Sequence, residues 1–133
     1  MRTRNRSLPN RRIAYSTDGG LHWSAPVYDS TLVEPVCQGS LTAPAGLPGT
    51  LFFTNPAHPH KRKNLSLSVS TDNGQSWIQR ITIQADPSAY SDHTLLSNRL
   101  LLVLYETGKL WPYGGIAYHF ATLEQADLRH SKK

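Results

Sequence analysis

With one cysteine, Cys37, among its 133 residues, the chain can close no internal disulfide and has no cysteine spacing suited to a metal. Cys37 reads as a packed core thiol, since no positive neighbour in the sequence points at it. No apolar run approaches the ~18 residues of a membrane span, and no signal-peptide pattern is present. The compartment is left open. Acidic residues are missing from the first twelve positions, MRTRNRSLPNRR, which hold five of the fourteen lysines and arginines of a chain with net charge +5. Such a segment suits a nucleic-acid arm, an Arg-rich transit peptide or the exposed part of an incomplete domain. It has no interleaved aromatic residue and no helical face, so nucleic acid is not expected as a partner. His58, His60 and His93 have no companions at metal-ligand spacing. They read as surface or loop histidines, and no metal or cofactor is expected.

What is present is a repeat. STDGGLHW, Ser16 to Trp23, returns as STDNGQSW, Ser70 to Trp77, and both read S-T-D-x-G-x-x-W at a separation of 54 residues. A strand leads into each copy, RRIAYS before the first and the strictly alternating NLSLSVS before the second. Asp18 and Asp72 can accept backbone N–H groups two or more residues on, which is how an Asx turn holds a reversal. Gly20 and Gly74 tolerate positive φ. Trp23 and Trp77 start the returning strand and can lay an indole over the turn. Each copy is therefore a hairpin, with Ser16, Asp18, Gly20 and Trp23 matched by Ser70, Asp72, Gly74 and Trp77. The pattern resembles the Asp box, or BNR repeat, of sialidases and other β-propellers. The box is an architectural device on the rim away from any active site.

A four-stranded blade takes about 40 to 50 residues, so the chain holds fewer than three. Propellers close with typically four or more blades, and six are usual in the sialidase type, so the expected fold is an all-β part of a larger ring. Residues 1–29 read as a partial blade whose last two strands are Arg11–Ser16 and Trp23–Val27, and Ser30–Pro35 crosses over. Residues 30–86 read as a full blade with strands near Cys37–Thr42, Thr50–Asn55, Asn64–Ser70 and Trp77–Ile83. Residues 87–122 supply Ala89–Leu96, Arg99–Glu106 and Ile116–Thr122, with Asn98 at a tight turn. Residues 123–133 form a short helix or tail, begun by a capping box of Thr122 with Gln125. Unpaired blade edges invite self-association.

Further motifs stand at the ends of the inner strands, where a propeller's funnel lies. They are VEPVCQGS (Val33–Ser40), TNPAHPHKR ending near Arg62, AYSD with Tyr90, and VLYE with Glu106. Together with the two boxes, in this order and spacing, they resemble the exo-α-sialidases (neuraminidases) along nearly the whole chain. The resemblance implies hydrolysis of terminal sialic acids from glycoconjugates. Arg62 matches the last of three arginines that hold the substrate carboxylate. Arg2, in an opening MRT similar to the tail of an N-x-R-[ST] segment, matches the second, with Arg4 and Arg6 as rivals. Tyr90 falls on the nucleophile, Glu106 on the acid that braces the first arginine, and Gln38 on a position lining the sugar pocket. Glu34 does not match the nucleophile's base.

The chemistry agrees with those roles. Guanidinium forks grip a carboxylate through paired, charge-assisted hydrogen bonds, a geometry lysine cannot give. A phenol arrives neutral at an anomeric carbon whose own carboxylate would repel Asp or Glu, and sialidases use tyrosine accordingly. A phenol with an ordinary pKa of about 10 needs a base, and the leaving group needs an acid. No position here matches the family's acid/base aspartate, activating glutamate or first arginine. The chain looks like the C-terminal part of a sialidase. Each missing acid or base costs about two to four orders of magnitude, so these residues alone are expected to be inactive or nearly so. The alternative is a sialoglycan-binding or degenerate propeller module. Asp92 shares a face with Tyr90 by strand alternation, but the family match gives it no role as base.

Overall fold

The computed structural model describes residues 8–97 and 99–124. Within them the secondary structure is all β: β1 (Asn10–Ile13), β2 (Val27–Val33), β3 (Ser40–Thr42), β4 (Leu51–Pro56), β5 (Lys63–Ser70), β6 (Ile78–Ser97), β7 (Leu100–Thr107) and β8 (Gly115–Thr122). Strands β1 and β2 pair with each other, and β3 to β8 form a second antiparallel sheet in chain order. Arg2, Arg4, Arg6, the turn at Asn98 and the expected helix beyond Glu124 lie outside the described residues.

Several strand boundaries differ from expectation: β1 ends at Ile13 rather than Ser16, β2 runs through Val33 where a crossover is expected at Ser30–Pro35, and β3 begins at Ser40 rather than Cys37. The first hairpin returns at Val27 rather than Trp23. The Trp23 indole is folded back on the turn, where its Nε1 donates to the Gly20 carbonyl at 2.9 Å, and Pro26 has no N–H to give to a ladder. The strands expected at Trp77–Ile83 and Ala89–Leu96 are one continuous strand, β6. It pairs with β5 as far as Pro87 and with β7 from Ser88 onward. Ser88 N donates to the Arg62 carbonyl at 2.9 Å, so the Ser88 N–H is satisfied where the partner changes.

Alternation along β4 decides how the layers stack. Phe52 faces a core with Leu65, Leu67 and Val69 of β5, Leu101, Val103 and Tyr105 of β7, Ala121 of β8 and Leu123. Its neighbour Phe53 faces the other way, into a core with Leu32 of β2 and Trp77, against which Ile13 and Leu51 pack. Adjacent residues of a strand point to opposite faces, so two consecutive phenylalanines hold three layers together. Each fully buried side chain of this size contributes about 1.5–3 kcal/mol.

The two octapeptides adopt the same hydrogen-bonded turn. Ser16 Oγ donates to Asp18 Oδ1 at 2.8 Å and accepts Gly20 N at 2.8 Å; Ser70 Oγ donates to Asp72 Oδ1 at 2.7 Å and accepts Gly74 N at 2.8 Å. Asp18 Oδ1 accepts His22 N and Asp72 Oδ1 accepts Ser76 N, each at 2.9 Å. The glycines carry φ of 93° and 83°, the left-handed region where a side chain is strained. The copies diverge at the tryptophan. Trp23 is 64% exposed and Trp77 only 7%. The Gly74 carbonyl accepts from Tyr15 Oη at 2.7 Å, so the first hairpin is tied to the second turn.

Candidate functional site

Strand β5 starts beside Arg62 and ends at Ser70. At about 3.3 Å per residue, Arg62 and the second octapeptide stand at opposite ends of one strand. The loop before Arg62 is held by His58, whose Nδ1 accepts the backbone N–H groups of His60 and Lys61 at 3.1 and 3.0 Å. Arg62 then reaches three neighbours. Its Nη1 donates to Tyr113 Oη at 2.6 Å, its Nη2 donates to the Val36 carbonyl at 3.2 Å, and its guanidinium carbon lies 5.3 Å from the centre of the Tyr90 ring. Those bonds use two of five donors, and the Tyr90 hydroxyl also interacts with the guanidinium. Burial works against this charge, but Cys37, Tyr113 and Tyr90 outweigh it and raise the Arg62 pKa.

Val36 has φ of 61°, in a region that a β-branched side chain enters only under strain. Strain of that kind costs about 1–3 kcal/mol and gathers at functional sites. Here it turns the Val36 carbonyl toward Arg62. The same segment sets Gln38, whose Oε1 accepts Ser91 N at 3.2 Å. A Cβ on Gly39 would lie 2.6 Å from the Thr54 carbonyl oxygen, so only glycine lets this segment approach β4 so closely.

Tyr90 occupies a β-bulge. Ser88 faces Thr107 and Ser91 faces Tyr105, so Ala89 and Tyr90 together oppose Glu106. The bulge leaves the Tyr90 N–H without a ladder partner, and Glu106 Oε2 accepts it at 3.3 Å. Bulges commonly re-aim a side chain beside a binding site, and Tyr90 is 48% exposed. Gln38, Tyr90, Asp92, Glu106 and Ile116 line one open groove of about 440 Å³. Arg62 borders it through the Tyr90 ring.

Nearby acids and bases are engaged elsewhere. Asp92 accepts Ser40 Oγ at 2.6 Å and His93 N at 2.9 Å, and the Ser40 bond leads in lowering its pKa, which makes it a weak base. Glu34 is buried and paired with Arg11 at 2.8 Å, so it holds the core together. Cys37 is buried as expected, but tertiary structure brings Arg62 and Arg11 near it. Burial nevertheless dominates and raises the thiol pKa. His93 corrects the expectation of a surface histidine. It is 8% exposed and bonded through Nδ1 to Thr54 Oγ1 at 3.0 Å, because alternation puts it with Ser91 on the inward side of β6. No cluster of three metal-ligating side chains occurs among the described residues. No helix there is long and apolar enough to cross a membrane.

Sequence reasoning singled out Arg62, Tyr90, Glu106 and Gln38, and the fold brings these four together. It missed Tyr113. The turn GKLWPYGG carries no signal beyond its Pro and Gly content.

The model of the BNR repeat-like domain family matches residues 1–112. The chain belongs to this family. A sialidase of Micromonospora viridifaciens is 32% identical over 105 residues, 74% of this chain and 16% of that protein. A solved Hadza microbial sialidase matches with a TM-score of 0.70 at 27% identity, covering 87% of this chain and 23% of that one. The chain thus spans less than a quarter of either relative. This BNR repeat-like chain is a sialidase-like domain with the strand arrangement of a propeller.

Proposed function

We propose that this chain forms the nucleophile side of a retaining exo-α-sialidase site acting on terminal sialic acids of glycoconjugates. Tyr90 attacks the anomeric carbon, Arg62 and Arg2 hold the carboxylate, Gln38 lines the sugar pocket and Glu106 takes the place of the acid that braces the first arginine of the family's triad. The observation that carries this reading is the convergence of Tyr90, Glu106 and Gln38 around one groove, with Arg62 lying against the Tyr90 ring at its border. The planar guanidinium of Arg62 supplies the fork that a sialic acid carboxylate requires. These 133 residues alone bind sialosides without turning them over, because the general acid and base that a phenol nucleophile needs are not matched among them. Among the described residues β8 is an edge strand of its sheet, a place where two copies can pair.

The test combines two measurements on the folded chain, with packing of the tryptophans checked by near-UV circular dichroism. Binding of methyl α-sialoside is followed by NMR, and fluorophore release from a 4-methylumbelliferyl sialoside is assayed beside Tyr90→Phe. Binding with no release is the expected result. Release that vanishes in Tyr90→Phe would show that the unmatched acid and base are dispensable. A folded chain that does not bind the sialoside would sink the reading. A non-catalytic sialoglycan-binding module gives the same first result. Its mark is lack of release even after the chain is joined to the acid, base and arginine of a sialidase relative.

A further inference from the structure

Arg62 lines a second cavity, of about 340 Å³, together with Lys61, Lys63, Pro87, Trp111 and Tyr113. Among the described residues three cations border it, and none of the lining side chains is a carboxylate. Its aromatic wall comes from the β7–β8 loop, where Trp111 and Tyr113 meet edge to face, with ring centres 6.3 Å apart at 74°. The indole is 64% exposed, although nothing in packing requires a tryptophan there.

The loop is set before any ligand arrives. A Cβ on Gly108 would lie 2.4 Å from the Trp111 carbonyl oxygen and 3.1 Å from Gly114 N, so the neck of the loop closes only around glycine. Tyr113 is pinned by the 2.6 Å bond from Arg62. The wall is therefore preorganised, which lowers the entropy lost on binding.

In a sialoside the carboxylate and the glycosidic oxygen sit on the same anomeric carbon. A carboxylate held by Arg62 thus starts the attached sugar within reach of Tyr113, whose ring centre lies 5.8 Å from the guanidinium carbon. The exposed indole offers an apolar face for the C–H groups of a pyranose. Lys61, Arg62 and Lys63 give the wall an excess of positive charge, with Asp86 one residue beyond Pro87, the cross-strand partner of Lys63, and a neutral sugar would leave that excess unanswered. Resting on the sialoside reading above, we propose that this cavity is the subsite for the next sugar and that it favours a sugar that is itself acidic.

The experiment titrates the purified chain with methyl α-sialoside, α2,3-sialyllactose and an α2,8-linked disialoside, following binding by NMR. The expected gain of the disialoside over the methyl sialoside is about tenfold, the effect of one added charge-assisted hydrogen-bonded contact. In Trp111→Ala and in the double variant Lys61→Ala/Lys63→Ala that ratio falls toward one, whereas a purely structural role for the loop would leave it unchanged. An equal gain for sialyllactose would overturn the preference for acid. No gain for either oligosaccharide, or a gain that survives in both variants, would overturn the subsite. A folded chain that binds none of the three probes overturns the sialoside reading itself, and the subsite with it.

Discussion

The Arg62 guanidinium carbon lies 5.3 Å from the centre of the Tyr90 ring, 28 residues further along the chain. One cation therefore serves two purposes: it stacks on the phenol of the candidate nucleophile and offers its remaining donors to a carboxylate. Lysine could supply the charge but neither the fork nor the flat stacking surface. Arg62→Lys is expected to weaken methyl α-sialoside binding by about ten- to a hundredfold, the scale of one or two charge-assisted hydrogen bonds. The thermal midpoint should move little. A titration showing unchanged affinity would remove Arg62 from the site.

Glu106 holds the bulge by accepting the Tyr90 N–H. Glu106→Gln keeps an acceptor at that place and Glu106→Ala does not. Amide hydrogen exchange at Tyr90 is expected to quicken in the alanine variant and to stay near the native rate in the glutamine variant. Equal rates in all three proteins would mean that the bulge holds itself.

His93 makes stability depend on pH. Burial lowers its pKa, with the nearby Asp92 charge opposing. Between that lowered value and the ordinary value of about 6.5, the unfolded chain binds a proton that the native chain refuses, so stability falls as pH drops. The contribution is complete above about pH 6.5. Urea unfolding at pH 7 and pH 5 should show a smaller loss in His93→Gln than in the native chain. Identical losses would show that His93 does not carry the effect.

The two Asp-box carboxylates titrate lower still. Backbone and side-chain bonds from His22 lower Asp18 to about 2; for Asp72, burial pushes upward but the Ser76 and Ser70 bonds win and bring it to about 2. Both carboxylates therefore stabilise the fold above the ordinary value of about 3.9, and the effect disappears as pH falls toward 2. Asp72→Ala should lower the unfolding midpoint more than Asp18→Ala, because the second turn carries the buried Trp77 and receives Tyr15. Tryptophan fluorescence during unfolding distinguishes the two, and a larger effect from Asp18→Ala would contradict the assignment.

Pairing of copies through β8 is the outcome expected from its residues. Tyr118 and Phe120 stand opposite Leu104 and Leu102, and Ile116, Tyr118, Phe120 and Leu104 are all exposed. Light scattering should show a concentration-dependent dimer that Phe120→Lys converts to monomer. A monomer at every concentration would refute the pairing.

The two turns are written into their own octapeptides. Each is closed by a serine, an aspartate and a glycine within eight residues, so the backbone needs no distant partner to reverse. Alternation in β5 was legible for the same reason, since a strand's period of two depends on local geometry alone, whereas the division of Phe52 and Phe53 between two cores emerged only from the packing. The motifs around Arg62, Tyr90, Glu106 and Gln38 could be read as separate marks. Their meeting could not, because it rests on β6 changing partner between Pro87 and Ser88 and on a bulge that aligns Tyr90 with Glu106. The inward turn of His93, the strained Val36 carbonyl aimed at Arg62, and Tyr113 bonded to a residue 51 positions away were likewise decided by tertiary structure. Such contacts join stretches far apart in sequence, and only the register of the strands between them brings the partners within hydrogen-bond reach.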